Sequence, residues 1–216
     1  MTEFIIPGTL LDNLATLPAE RPVALLLRHS VRDPIPDGES GHELPLTDRG
    51  VELAKQLGQK VQGRLASLHT SPVPRCVETA ECLRDGAGLN CEIHPDRLLG
   101  DPGVFVEDSE LAWKTFQELD YWDIVAGLID GDDLPGMRHG PSALERLTEH
   151  MIEQAGPDSG LHVFVTHDIF IAVLIYTEFT DGVERELSPW FLDGLFLWED
   201  DAIKLQYRNL QANRRR

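Results

Sequence analysis

The chain has 216 residues, 42% hydrophobic and 26% charged, with a formal net charge of −18 at pH 7. That length suffices for one well-buried core, and the absence of a linker, repeat or low-complexity block argues against a disordered chain and against several domains, so residues 1–216 are read as a single domain. The negative charge argues against nucleic acid and anionic membrane as partners, the terminal Arg214, Arg215 and Arg216 being too few to reverse it.

Cys76, Cys82 and Cys91 are odd in number and lack Cys-x-x-Cys spacing, which argues against a disulfide framework and a zinc site and fits a reducing cytoplasm. Residues 1–8 show no basic region ahead of an apolar one, so no secretory signal is expected. The longest apolar run, residues 169–176, falls well short of the roughly 20 residues of a spanning helix.

In chain order, residues 1–22 carry turn and short helical signals, and residues 23–27 form a first buried strand that ends abruptly in Arg28-His29 before the loop-forming Asp33-Pro34-Ile35-Pro36-Asp37-Gly38. Thr47 then caps a helix whose apolar stripe is expected to run Ala54, Leu57, Val61, Leu65 and Leu68. Residues 67–70 lead into Ser71-Pro72-Val73-Pro74-Arg75, where the prolines open a helix that buries Cys76 or Val77 with Ala80 and Leu83 and holds Arg75 in its first turn. Residues 91–94 read as a short strand. From about 95 to 140 the pattern is irregular and suggests either a substrate-covering cap or helices that complete the core. A helix over 141–155 and a strand over 161–165 follow, and that strand ends in Thr166-His167-Asp168. A nearly all-apolar helix over 169–179 and a closing hairpin, 194–198 with 202–207, complete the chain.

Alternation of this kind predicts an α/β fold: a three-layer αβα sandwich with a mostly parallel central sheet and a helical insertion. The carboxyl ends of the strands in such sheets bind ligands. Here three of them carry Arg28-His29, Arg75 and His167-Asp168. Two guanidiniums and two imidazoles at one sheet edge call for an anion, and the fork of arginine matches phosphate.

At these positions the chain resembles the histidine phosphatase superfamily, the phosphoglycerate mutase-like fold. The resemblance runs through Leu27-Arg28-His29, Leu46-Thr47-x-x-Gly50 with Ala54, Ser71-Pro72-x-x-Arg75-Cys76-x-x-Thr79-Ala80, and Val165-Thr166-His167. It implies His29 as nucleophile, Arg28, Arg75 and His167 as the phosphate pocket, a small phosphorylated substrate, and no metal or cofactor. Three departures stand out. Ser30 replaces a usual glycine, so either the backbone there is tolerant or its hydroxyl serves the phosphate. Arg32 and Asp168 are similar to features of the acid phosphatase and phytase branch. Asp101, in Leu99-Gly100-Asp101-Pro102-Gly103, occupies about the place of the other branch's glutamate, leaving Asp101 and Asp168 as alternative general acids, with Asp101 favoured on the expectation of partial burial under a cap. The resemblance implies a phosphomonoesterase acting on a small metabolite or a phosphohistidine protein, with mutase-type phosphotransfer and non-catalytic phosphate binding as rivals. The oligomeric state is not legible. His42, His69, His94, His139, His150 and His162 lack metal-ligand spacing and are read as surface or hydrogen-bonded residues, with His69, which precedes Thr70-Ser71-Pro72, as the partial exception placed just behind the pocket. Trp113, Trp122 and Trp190 are read as core or interface aromatics before substrate-stacking groups.

Overall fold

The computed structural model describes residues 4–36 and 38–214. Residues 1–3, Asp37, Arg215 and Arg216, and with them the first three residues of the N-terminal stretch and two of the three arginines of the tail read above, lie outside the described residues. Seven helices and seven strands are described: α1 Gly8–Thr16, β1 Pro22–Arg28, α2 Asp48–Val61, β2 Leu65–Thr70, α3 Pro74–Ala87, β3 Ile93–Pro95, α4 Ser109–Glu118, α5 Tyr121–Asp130, α6 Gly140–Ala155, β4 Gly160–Thr166, α7 Asp168–Phe179, β5 Gly194–Glu199, β6 Ile203–Tyr207 and β7 Leu210–Arg214. Among the described residues no helix is long and apolar enough to cross a membrane.

All seven strands form one sheet in the order β3-β2-β4-β1-β5-β6-β7. The first four are parallel; β5, β6 and β7 extend the sheet in antiparallel fashion beyond β1. The sheet is therefore mixed with a parallel core. The apolar run of β1 follows from burial on both faces. Its Val23, Leu25 and Leu27 join the cluster under α1, α2 and α3, while Ala24 and Leu26 join the cluster under α5, α6 and α7. Helix α7 is apolar all round because it lies between β1 and β5 on one side and α5 on the other. Buried residues of the irregular stretch, among them Leu99, Phe105, Ala112 and Leu128, belong to that same cluster, so this stretch completes the core on one face.

Two expectations are corrected. The apolar stripe assigned to α2 ends at Val61, and Leu65 and Leu68 lie instead in β2, where pairing with β3 and β4 wins over a helical spacing that continues only by coincidence. The closing hairpin gains a third strand, β7, because Arg208 adopts a left-handed φ of 49° and turns Leu210 back onto Tyr207. No glycine marks that turn, so the sequence offered no signal for it.

At the β2–β3 edge, His69 is buried, stacks on Phe164 at 4.6 Å, shares Ser67 Oγ (3.0 Å) with His162 (2.8 Å), and lies 5.1 Å from the His94 ring. His150 pairs with Asp96 nearby. Burial first, then the His94 charge, pushes His69 down to about 4, Asp96 opposing and His162 and His150 adding slightly. A histidine whose folded pKa is lowered contributes fully above its unfolded value of about 6.5 and loses that contribution as pH falls towards 4. The melting temperature should therefore fall between pH 6.5 and 4, and in calorimetry His69→Gln should fall less steeply than the parent chain; an identical slope would show that His69 does not titrate with unfolding.

Candidate active site

Parallel register brings the functional residues abreast. Arg28 lies opposite Thr166 and Thr70 opposite Val165, so the chain leaves β1, β4 and β2 at one level with His29, His167 and Ser71 as the next residues. The His29 N–H continues the ladder to Thr166 O (2.9 Å), as the Ser71 N–H does to Val165 O (2.9 Å). Helix α3 starts just above, with Pro74 in its first turn, and this places Arg75 over the strand ends.

Arg75 joins the site together. Its Nε donates to His29 Nε2 (3.1 Å) and its Nη2 to His167 Nδ1 (3.2 Å), while Nη1 is held by the carbonyls of Gly41 (2.7 Å) and His42 (3.4 Å). These donations fix both tautomers. Since His29 Nε2 accepts, its Nδ1–H donates to Ser30 O (2.8 Å), leaving Nε2 with the lone pair. His167 accepts at Nδ1, so its Nε2–H donates to Ser71 Oγ (3.2 Å). The two rings meet edge-on at 5.6 Å.

Burial, then the neighbouring His167 and the Arg75 and Arg28 guanidiniums, holds His29 well below its ordinary value; burial and Arg75 hold His167 at about 3, with Asp168 opposing. At neutral pH the imidazoles are uncharged, and the positive field comes from the arginines, because a second cation beside a buried guanidinium is the costlier form.

Arg28 donates Nη1 to Pro189 O (2.9 Å), pairs Nη2 with Asp168 Oδ2 (2.8 Å), and lies 4.3 Å over the Phe191 ring. Its Nε and the Nε of Arg32 are buried donors without a hydrogen-bond partner among the described residues. Arg32 Nη1 is held by Asp33 O (2.7 Å), and its charge is felt by the same group of residues, since Arg75, Arg28 and Asp168 all act on it.

Ser30 is placed otherwise than as a phosphate ligand. Its hydroxyl donates to Gly50 O (2.7 Å), tying the end of β1 to α2, and its φ is not positive, so no glycine is needed there. Its N–H donates to Thr79 Oγ1 (3.0 Å), whose own hydrogen goes to Arg75 O (2.7 Å). Gly50 itself is required: a Cβ there would lie 2.2 Å from Val31 O, while Thr47 Oγ1 caps the helix on the Gly50 N–H. These contacts give Leu46-Thr47-x-x-Gly50 and Thr79 their physical meaning.

Of the two acid candidates, Asp168 has both oxygens engaged as acceptors, Oδ2 by Arg28 and Oδ1 by the Ile169 N–H (2.9 Å). Asp101 is exposed, which corrects the expected burial under a cap; its loop reaches the site through Gly100, where a Cβ would lie 2.7 Å from His167 Nε2 and 2.5 Å from Ser71 Oγ. With a left-handed φ of 58°, Asp101 follows directly on that contact.

The sequence gave no hint of Asp193. It is 1% exposed; its Oδ2 accepts from Tyr207 OH (2.9 Å) and from Arg208 Nε (3.2 Å) and Nη2 (2.8 Å), and its carbonyl accepts the Arg28 N–H (2.9 Å). Arg208 also holds Ser188 O (3.1 Å), beside the Pro189 carbonyl that grips Arg28. The segment before β5 and the β6–β7 turn thus position Arg28 from behind.

A family model described as the histidine phosphatase superfamily, branch 1, matches residues 24–185. No curated protein matches. Among solved structures the chain is similar to a phosphoserine phosphatase from Entamoeba histolytica solved with phosphoserine (TM-score 0.60, 18% identity, 87% of this chain and 96% of that one). It is also similar to a mycobacterial glucosyl-3-phosphoglycerate phosphatase (TM-score 0.56, 17% identity, 87% and 97%). A third match is a phosphoglycerate mutase from Bacillus anthracis (TM-score 0.51, 13% identity, 92% and 94%). At these identities the likeness is one of fold.

Removing the Asp193 carboxylate leaves a largely buried guanidinium without its counter-charge and the buried Tyr207 phenol with the Leu187 carbonyl alone. Asp193→Ala should lose about 3 kcal/mol in urea unfolding and should also raise KM for a phosphate ester by loosening Arg28. Full stability in that variant would rule out the supporting role.

Proposed function

The chain belongs to branch 1 of the histidine phosphatase superfamily, and from that premise we propose that it is a phosphomonoesterase working through a phosphohistidine on His29. The observation that carries this reading is the bond from Arg75 Nε to His29 Nε2, which leaves a neutral imidazole with its lone pair beside the cations that receive phosphate. The two unpartnered donors, Arg28 Nε and Arg32 Nε, support an anion in the same place.

In the first step the phosphate ester enters among Arg28, Arg32 and Arg75, and Arg75 Nε exchanges His29 Nε2 for a phosphoryl oxygen. His29 Nε2 attacks phosphorus as the bridging P–O bond breaks. The Nδ1–H bond to Ser30 O stabilises the charge that develops on the ring, and the guanidiniums offset charge on the equatorial oxygens. His167, a neutral imidazole held between Ser71 Oγ and Arg75 Nη2, keeps that guanidinium aimed into the pocket. The departing oxygen takes a proton from Asp101, the candidate whose oxygens are not already engaged. In the second step Asp101 accepts a proton from water, the water oxygen attacks phosphorus, and the N–P bond breaks to release inorganic phosphate and restore His29. The names of two structural neighbours, both phosphatases of small esters, support a small phosphorylated substrate.

Labelled ester, quenched in alkaline denaturant, should leave phosphate on the protein in a base-stable, acid-labile bond, and His29→Ala should carry none and lose about 10³-fold or more in kcat. Label on serine or aspartate would overturn the assignment. Because arginines already supply the charge, dialysis against a chelator should leave the rate unchanged; loss that magnesium or zinc restores would mean the site has been misread. Asp101→Asn should cut turnover of an alkyl phosphate severely while sparing p-nitrophenyl phosphate, whose leaving group needs no proton, and Asp168→Asn should lack that contrast. The reverse pattern would make Asp168 the acid.

A further inference from the structure

We propose that an apolar cavity flanking the phosphate site receives the organic part of the substrate, and that this part is an uncharged aromatic or extended apolar group. The inference rests on the phosphatase reading and names its substrate class.

The cavity, about 480 Å³, is lined chiefly by Phe4, Val31, Arg32, Arg49, Trp190 and Phe191. Two of these border the catalytic centre. The Phe191 ring lies 5.7 Å from the His29 ring and under the Arg28 guanidinium, and Arg32 stands within the field of Arg28 and Arg75. A phosphate held by those arginines therefore has this cavity next to it.

Its walls are built for a flat apolar group. Phe4 and Trp190 are stacked at 5.9 Å and 18°, and Phe191 meets both edge-on, at 5.8 Å and 5.7 Å. Trp190 is nevertheless 48% exposed, a large apolar surface left in water beside the reacting groups. Polar groups on the rim argue against a second anionic substituent. Arg49 uses Nε (3.2 Å) and Nη2 (2.9 Å) on the Phe4 carbonyl and Nη1 on Glu52 (2.8 Å), so it holds Phe4 in place and has little left to offer a ligand. Asp33 adds a negative charge to the same rim. A carboxylate next to the phosphate, as in phosphoserine or a phosphoglycerate, finds the two cations of this cavity already engaged, Arg49 by Glu52 and the Phe4 carbonyl and Arg32 by the phosphate.

The test uses the purified full-length chain and two non-hydrolysable ligands, 2-naphthylmethylphosphonate and methylphosphonate, titrated by calorimetry. Burying the naphthyl group should make the first bind at least about tenfold tighter. Trp190→Ala, which removes a half-exposed side chain and leaves the packed core untouched, should bring the two affinities to within about twofold of each other, and Phe4→Ala should do the same. Equal affinities in the parent chain, or a preference that survives both variants, would overturn the proposal. Turnover is measured separately with 2-naphthyl phosphate and phosphoserine. Hydrolysis of both without preference, together with equal phosphonate affinities, removes the cavity proposal and leaves the phosphatase reading standing; a naphthyl preference in binding with no hydrolysis of either does the opposite.

Discussion

The Arg75 guanidinium, donating to both catalytic-site imidazoles at once, is the contact on which the rest of the site depends. One planar cation with donors in a fixed fork sets the tautomer of His29 and that of His167 and adds to the burial that keeps both neutral. A lysine in the same place would supply charge without that geometry. The cost is a buried cation between two groups that repel protons in its presence, and the carbonyls of Gly41 and His42 offset it by taking up the third corner of the fork. The loop between β1 and α2 is therefore a component of the site twice over, carrying His29 and Arg32 at its start and holding Arg75 through the Gly41 and His42 carbonyls.

Arg28 is held on different terms. Asp168 balances its charge, Pro189 fixes its direction and Phe191 covers its face. The last two come from the segment before β5, which the buried Asp193–Arg208 pair anchors to the β6–β7 turn. An ion pair at this depth, with two guanidinium donors on one carboxylate oxygen, stabilises little in net terms but is expensive to break from one side, which suits a positioning role better than a stabilising one. The antiparallel half of the sheet thus serves the parallel half, where the reacting groups stand.

Charge works on two scales. With a net charge of −18 the chain repels an anionic ester at long range, so attraction must come from arginines acting within about 8 Å, the screening length at physiological ionic strength. The pocket achieves this by keeping its guanidiniums largely out of water, Arg28 at 9% and Arg75 at 8% exposure, where their fields are screened least. An incoming dianion reverses the local field, and the same burial that holds the imidazoles neutral in its absence strengthens their hydrogen bonds once it is bound.

Much of this was readable from residues alone. The apolar run ending in Arg28-His29, the capping Thr47 three residues before Gly50, Pro74 ahead of Arg75 and the strand ending in Thr166-His167 are local signals, because strand burial, helix capping and proline's fixed φ are properties of short stretches. They determined the order of the elements, the α/β class and the four residues that meet at the sheet edge. Tertiary structure alone decided that Leu65 and Leu68 belong to a strand, since only the neighbouring β3 and β4 distinguish a chance helical spacing from a real one. It decided that Ser30 points its hydrogen to Gly50, that Asp101 is exposed, that the imidazoles are neutral, and that Asp193, over 160 residues along the chain, holds Arg28 in place. Each of these depends on which groups from distant parts of the chain share a few ångströms of low-dielectric space, and no periodicity or motif in one stretch carries that information.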